Sequence, residues 1–278
     1  MIELVRKKRS PKDYPLKENQ NQVTVLHDTL RLSGVLTNST TDTTKATIIL
    51  IHGVRGRKES WQAKSQELAD SSYQTLAIDL RAHGDSAGKF TTFGVKEKVD
   101  VQAWVDWLHD QPEFTNTPLG IWGRSLGGSV ALHSLAVEKR LQFGIIESTY
   151  HDFEVIAGDY SKDYIGVNIK PLTSNLLKRA AKRADFHLED AKTSNAAALV
   201  TQPILFSHGS EDEKIKIDYN VHNFDAVPHK KKAFYTVEGA GHYNLWEVGG
   251  EAYFNKVLDF IDANTIQVDE TMQEMTAD

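Results

Sequence analysis

Residues 123–127 read Gly-Arg-Ser-Leu-Gly and carry the clearest chemical signal in the chain. They lie between an apolar stretch typical of a strand, residues 119–122, and a stretch typical of a helix, residues 126–139. A serine on so sharp a strand-to-helix turn needs small neighbours on both sides, and the strained turn lifts its hydroxyl out of the sheet. The pattern therefore predicts that Ser125 is a nucleophile.

A serine hydroxyl reacts only beside a base, and the base needs an acid that orients it. His242 is the predicted base, because it follows a glycine-rich turn after a predicted strand. The acid is expected in the loop after the strand at residues 203–207, which ends at the same edge of the sheet as the serine. Glu211 and Asp212 both qualify for this position.

The negative charge that develops on an attacked carbonyl needs backbone N–H groups aimed at it. The N–H of Leu126 is one candidate, because it begins a helix whose dipole favours an anion. The N–H of Val54 is the other, since it lies in the loop after the first buried strand of the parallel sheet. We expect the substrate pocket to be lined by four side chains: His52, Arg124, Tyr243 and Trp246.

The elements that must position these residues are strands alternating with helices from residue 47 onward. Such alternation implies right-handed crossovers and a mostly parallel central sheet with helices on both faces. Residues 22–36 alternate in the strand period around a turn, which predicts an N-terminal antiparallel hairpin. The fold class is therefore α/β.

One stretch breaks this alternation, because residues 150–199 have a helical pattern but no strand pattern. We interpret it as a small helical cap insertion in a core formed by residues 22–149 and 200–265. Residues 1–21 are then an N-terminal extension, and residues 266–278 are an acidic tail.

The order of these motifs resembles that of the α/β-hydrolase superfamily of serine esterases, lipases and peptidases, over roughly residues 23–263. The His52-Gly53 pair resembles the oxyanion loop of that superfamily. Residues 79–86 resemble its D-x-R-G-H-G-x-S turn, with Ala82 in place of the first glycine, and their polar side chains are expected to be structural. The usual spacing after a His-Gly pair favours Asp212 as the acid.

The resemblance implies the α/β-hydrolase fold and a Ser-Asp-His triad, with no metal or organic cofactor. A serine nucleophile is unlike the aspartate of epoxide hydrolases and haloalkane dehalogenases, and the single-glycine oxyanion loop is unlike a His-Gly-Gly-Gly loop. The nearest branch is the carboxylesterase, monoacylglycerol-lipase and peptidase-like one. We expect hydrolysis of carboxylic esters through an acyl-enzyme on Ser125. A peptidase or amidase, and a non-catalytic ligand-binding scaffold, are the alternatives.

The cap sets the expected size of the substrate. Part of its apolar surface must pack on the core, which leaves too little for a long acyl tunnel. Its basic side chains at Lys178, Arg179, Lys182 and Arg183 favour a solvated outer face. We therefore expect acyl groups from acetyl to about hexanoyl to be preferred.

Composition limits the other classes of function. The 278 residues include 32 lysines and arginines against 38 aspartates and glutamates, a formal charge of −6 that argues against nucleic-acid binding. Cysteine is absent, which excludes disulfides and thiolate chemistry.

The apolar run at residues 46–51 is too short for a membrane span, and the N-terminus lacks the apolar run of a signal peptide. We expect a soluble protein with a small ester as its partner. The cytoplasm is favoured over a processed secreted or periplasmic form, and the oligomeric state is left open.

Overall fold

One mixed sheet forms the centre of the computed structural model, which describes residues 14–114, 117–165 and 170–265. In these ranges the sheet has eight strands in the order β1-β2-β4-β3-β5-β6-β7-β8. The strands are β1 Gln20–His27, β2 Leu30–Thr37, β3 Ala46–Ile51, β4 Tyr73–Ile78, β5 Leu119–Arg124, β6 Leu141–Glu147, β7 Ile204–Gly209 and β8 Lys232–Val237.

The first two strands form the predicted antiparallel hairpin, whose turn contains Asp28 at a positive φ of 52°. β2 also pairs antiparallel with β4, whereas all pairings from β4 to β8 are parallel. The predicted α/β-hydrolase fold, with its mostly parallel sheet and N-terminal hairpin, is confirmed. β1 begins at Gln20, two residues before the predicted start of the core.

Helices cover both faces of the sheet, which is why every residue of β3 is buried. The side chains of Ile48 and Leu50 point to the face covered by α1 and α8, and those of Ile49 and Ile51 to the face covered by α2 and α3. The helices are α1 Gln62–Asp70, α2 Glu97–His109, α3 Leu126–Val137, α4 Phe153–Ile165, α5 Lys170–Arg183, α6 Thr193–Ala197, α7 Ile217–Ala226 and α8 Leu245–Thr265. Within the described ranges, none of these helices combines the length and apolarity that crossing a bilayer requires.

The described part of residues 150–199 is helical, with α4, α5, a 3₁₀ turn at Leu188–Ala191 and α6. Its inner side packs on the core: the ring of Phe153 stacks on that of Phe93 at 3.5 Å, and the hydroxyl of Thr193 lies 2.8 Å from that of Ser129 on α3. The four basic side chains predicted to face solvent are exposed. We propose that these helices form a cap on the core. The acidic tail and most of the N-terminal extension lie outside the described residues.

Candidate active site

Ser125 lies at the turn between β5 and α3, with a φ of 57° and a ψ of −119°. Residues other than glycine rarely adopt this conformation, which therefore stores strain. Two hydrogen bonds hold it: the Ser125 N–H donates to the Glu147 carbonyl at 2.8 Å, and the Thr149 hydroxyl donates to the Ser125 carbonyl at 2.8 Å. The strain is thus supported by the neighbouring strand β6 and the residues that follow it.

The glycines on either side of Ser125 are required by close backbone contacts. A Cβ atom on Gly123 would lie 2.0 Å from the carbonyl oxygen of Gly127, and one on Gly127 would lie 2.2 Å from that of Ile51. No side chain fits at these distances. The Gly-x-Ser-x-Gly spacing therefore lets α3 begin directly against β3 and β5.

The structure brings His242 and Asp212 to Ser125. His242, in the loop between β8 and α8, has its Nε2 atom 3.2 Å from the Ser125 hydroxyl. Its Nδ1 atom lies 2.7 Å from Oδ2 of Asp212, which follows β7. Of the two predicted acids, Asp212 is buried and meets the histidine, whereas the neighbouring Glu211 is exposed.

Asp212 is held as a carboxylate by donors on both of its oxygen atoms. Oδ1 accepts the N–H groups of Lys214 and Ile215, each at 2.9 Å. Oδ2 faces His242 and also lies 3.3 Å from Nε2 of His208. Burial would raise the pKa of Asp212, but the hydrogen bonds from the two imidazoles and Ile215 outweigh it and hold this pKa well below 3.8.

The two backbone groups predicted to form an oxyanion hole belong to elements beside Ser125. Leu126 is the first residue of α3, where an N–H has no partner within the helix. The loop that contains Val54 passes close to the nucleophile, since a Cβ atom on Gly53 would lie 3.3 Å from Cβ of Ser125. A hydrogen bond of 3.0 Å from the Gly56 N–H to the Gly53 carbonyl closes this loop.

His52 supports this loop and does not line a pocket, which corrects the prediction from its position. Its ring is 1% exposed, Nδ1 lies 2.7 Å from the Gly53 carbonyl, and Nε2 accepts the Leu80 N–H at 3.2 Å. Burial, aided by the nearby His83, lowers the pKa of His52 to about 3. A neutral ring with both nitrogens used fixes the loop in place.

Trp246 is half-buried, and its ring packs against the core; that it lines a substrate pocket stays a prediction. The ring centroid lies 4.9 Å from those of both Trp122 and Tyr253, and Nε1 donates to Glu147 at 3.3 Å. This packing follows from the start of α8 at Leu245, which places Trp246 in a first turn that lies on the sheet.

Arg124 and Tyr243 remain near the catalytic histidine in different ways. The Arg124 guanidinium donates to the His242 carbonyl at 3.1 Å and so holds the loop that carries the base. The Tyr243 ring is 76% exposed and meets the His242 ring edge-on at 5.0 Å. Tyr243 is therefore available at the rim of the site.

Glu147 is a residue that sequence reasoning missed. It is completely buried at the end of β6, where the Tyr253 hydroxyl donates to it at 2.7 Å, and burial raises its pKa. The available signal was a single acid closing an otherwise apolar strand next to the nucleophile. His208 was also missed: it is a completely buried histidine on β7, and the sequence marks it only as part of the His-Gly pair before the acid.

Two relatives of known sequence share most of the core. The uncharacterized protein YqkD of Bacillus subtilis is 25% identical over 227 residues, which are 79% of this chain and 72% of the relative. The human protein ABHD12B is 26% identical over 178 residues, or 62% of this chain. The match spans only about half, 47%, of the length of the human relative.

Among solved structures, the esterase Pf2001 of Pyrococcus furiosus has the same fold. It superimposes with a TM-score of 0.75 over 95% of this chain and 98% of the esterase. The two sequences are 23% identical. At this identity the similarity concerns the fold alone.

A family model described as X-Pro dipeptidyl-peptidase (S15 family) matches residues 20–164. This range is just over half of the chain and includes the turn at residues 79–86 and Ser125, but it ends before Asp212 and His242. The observed fold agrees with the match. The chain therefore belongs to the X-Pro dipeptidyl-peptidase (S15) family of the α/β-hydrolase superfamily.

Proposed function

We propose that this protein hydrolyses carboxylic esters through an acyl-enzyme on Ser125. The observation that carries the proposal is the continuous hydrogen-bonded chain from the Ser125 hydroxyl through His242 to Asp212, with distances of 3.2 and 2.7 Å. A nucleophile bonded to a base that is itself oriented by an acid is the arrangement needed for acyl transfer.

In the first half-reaction, Oγ of Ser125 attacks the ester carbonyl while Nε2 of His242 takes the hydroxyl proton. His242 then gives this proton to the departing alkoxide, which leaves as the alcohol. In the second half-reaction, His242 takes a proton from water, and the water oxygen attacks the acyl carbonyl. The proton returns to Ser125 as the acid product leaves, and Asp212 stabilises the imidazolium in both halves.

The N–H groups of Leu126 and Val54 are proposed to bind the oxyanion of each tetrahedral intermediate. Support for Leu126 comes from its place at the helix start, where the N–H has no partner within the helix and the dipole favours an anion. Support for Val54 comes from the closeness of its loop to Ser125. The tightly fixed ring of His52 would keep this loop in one conformation.

A short acyl group is proposed for the substrate. The exposed basic side chains of α5 support this, because a long acyl tunnel would need an apolar lining instead. Ser125 itself is only 5% exposed, so the surrounding residues restrict the space that a substrate can occupy at its hydroxyl.

Cleavage of X-Pro peptides is the second candidate, favoured by the family match. Such an enzyme must hold the positively charged amine of its substrate, which needs an acid near the site. Three acids of the cap already have partners in the structure. Asp152 accepts the Glu154 N–H, Asp159 accepts the Tyr219 hydroxyl, and Asp185 pairs with Lys96 at 2.9 Å. None of these three acids is therefore an unpartnered carboxylate reserved for a substrate amine.

A matched panel of substrates tests the proposal. We expect p-nitrophenyl acetate, butyrate and hexanoate to be hydrolysed with kcat/KM well above that for X-Pro arylamides, and a fluorophosphonate probe to label Ser125. Ser125→Ala is the control for both measurements. Amide turnover equal to ester turnover would favour the peptidase, and a maximum at dodecanoyl or longer esters would contradict the short acyl group. A folded protein that neither turns over ester nor reacts with the probe would be a binding scaffold.

A further inference from the structure

His208 is a second imidazole on the acid of the candidate triad. It lies on β7, four residues before Asp212, and is completely buried. Its Nε2 atom lies 2.8 Å from the Ile215 carbonyl and 3.3 Å from Oδ2 of Asp212. Its Nδ1 atom is buried and, among the described residues, has no hydrogen-bond partner.

These contacts determine which nitrogen of His208 carries the proton. The Ile215 carbonyl can only accept a hydrogen bond, so Nε2 must be the N–H of the neutral ring. This N–H is shared between the Ile215 carbonyl and the carboxylate of Asp212. The tautomer follows from these two acceptors, since no donor to Nε2 is found among the described residues.

The two oxygen atoms of the Asp212 carboxylate therefore have different hydrogen-bond partners. Oδ1 is occupied by the N–H groups of Lys214 and Ile215. Oδ2 lies between two imidazoles, His242 at 2.7 Å and His208 at 3.3 Å. The titratable groups that face this carboxylate are His208 from β7 and His242 from the loop before α8. Among the described residues, His208 is the one group besides His242 whose contact with Oδ2 is observed.

We propose that His208 is a positioning residue for the ester hydrolysis proposed above: its Nε2–H fixes Oδ2 of Asp212 and reduces the pull of that oxygen on the proton of His242. A carboxylate oxygen that shares its charge with a second donor is a weaker acceptor for the first. Without this second donor, Oδ2 of Asp212 would attract the Nδ1 proton of His242 more strongly.

His208→Phe tests the proposal, because it keeps a buried ring but removes the donor. We expect kcat to fall about tenfold and the midpoint of the acidic limb of kcat/KM to move up by about half a pH unit or more. His208→Gln places an amide N–H near the lost Nε2–H and should restore most of both losses. His133→Phe is the matched control, since His133 is also a buried histidine but bonds only the carbonyls of Ser129 and Asp190.

The titration of His242 followed by NMR separates this inference from the proposed function. It needs no turnover, so a midpoint that moves in His208→Phe supports the positioning effect even if no ester is hydrolysed. An active wild type whose kinetic and NMR midpoints are the same in His208→Phe would overturn the inference while leaving the esterase intact. The inference would also be overturned if His208→Phe and His208→Gln lost the same amount of kcat while the pH midpoints stayed at the wild-type value. His208 would then only fill space.

Discussion

Asp79 and Asp212 lie at equivalent places in the sheet, each just after a parallel strand and each almost completely buried. Asp79 follows β4, and its two oxygens accept the Lys58 N–H at 2.7 Å, the Lys58 ammonium at 2.8 Å and the Asp85 N–H at 2.8 Å. Asp212 follows β7 and also has both oxygens occupied. The difference is that two imidazoles take the place of the lysine.

The type of partner separates a structural acid from an acid suited to catalysis. Burial would lower the pKa of Lys58, but Asp79, Asp85 and Glu59 raise it, so the lysine stays charged and its proton is not available. An imidazole can gain and lose its proton near neutral pH, which lets the charge of Asp212 act on a moving proton. The same residue type at the same sheet edge thus gives stability in one turn and chemistry in the other.

The largest expected effect is the loss of kcat when Asp212 or the nucleophile that it serves is replaced. Ser125→Ala should lower kcat about 10⁶-fold and Asp212→Asn about 10⁴-fold, because the three residues act as one unit. Both variants should fold, which circular dichroism and a thermal melt will check. If Asp212→Asn stays near wild-type activity while Glu211→Gln is inactive, the acid is one residue away from our assignment.

The matching substitution at Asp79 should affect stability rather than kcat. Asp79→Asn leaves the ammonium of Lys58, which is 2% exposed, with only Asp85 and Glu59 as partners. We expect the free energy of unfolding to fall by about 3 kcal/mol, measured by urea denaturation. The kcat of the folded variant should stay within about threefold of the wild type. A large loss of kcat with unchanged stability would remove the contrast between the two turns.

The free energy of unfolding at acidic pH should also depend on Asp212. Its pKa in the folded protein is lower than the usual 3.8, so its stabilising effect is present above that pH and is lost as the pH falls below it. Between pH 6 and pH 2, the unfolding free energy of the wild type should therefore decrease by about 2 kcal/mol more than that of Asp212→Asn. Parallel curves for the two proteins would show that the hydrogen bonds on Asp212 are weaker than their geometry indicates.

The smallest effect is expected at the rim, where Tyr243 contacts the His242 ring but takes no part in the hydrogen-bonded chain. Tyr243→Ala should raise KM for short esters about threefold and leave kcat nearly unchanged, because an exposed ring contributes only binding. Steady-state kinetics with p-nitrophenyl butyrate will measure both. A kcat that falls more than KM rises would place Tyr243 among the groups that orient His242.

The sequence by itself determined the order of strands and helices and the residues at their ends. Three local patterns carry the site: Gly-x-Ser-x-Gly around Ser125, the His-Gly pair before Asp212, and the glycine-rich turn before His242. Each depends on a turn that only small residues permit. Parallel strands then bring such turns to one edge of the sheet. For this reason the nucleophile, the base and two adjacent candidates for the acid could be found without coordinates.

Only the tertiary structure decided which way each side chain points and what it meets. The choice between Glu211 and Asp212 depends on burial, and His52 and Trp246 lie in the predicted segments but face the core. No local pattern marks the start of α8 at Leu245, because Gly250 keeps a positive φ of 52° inside this kinked helix. The partners of His208 and Glu147 come from other segments of the chain, and no local pattern encodes contacts that form only when the strands and helices pack together.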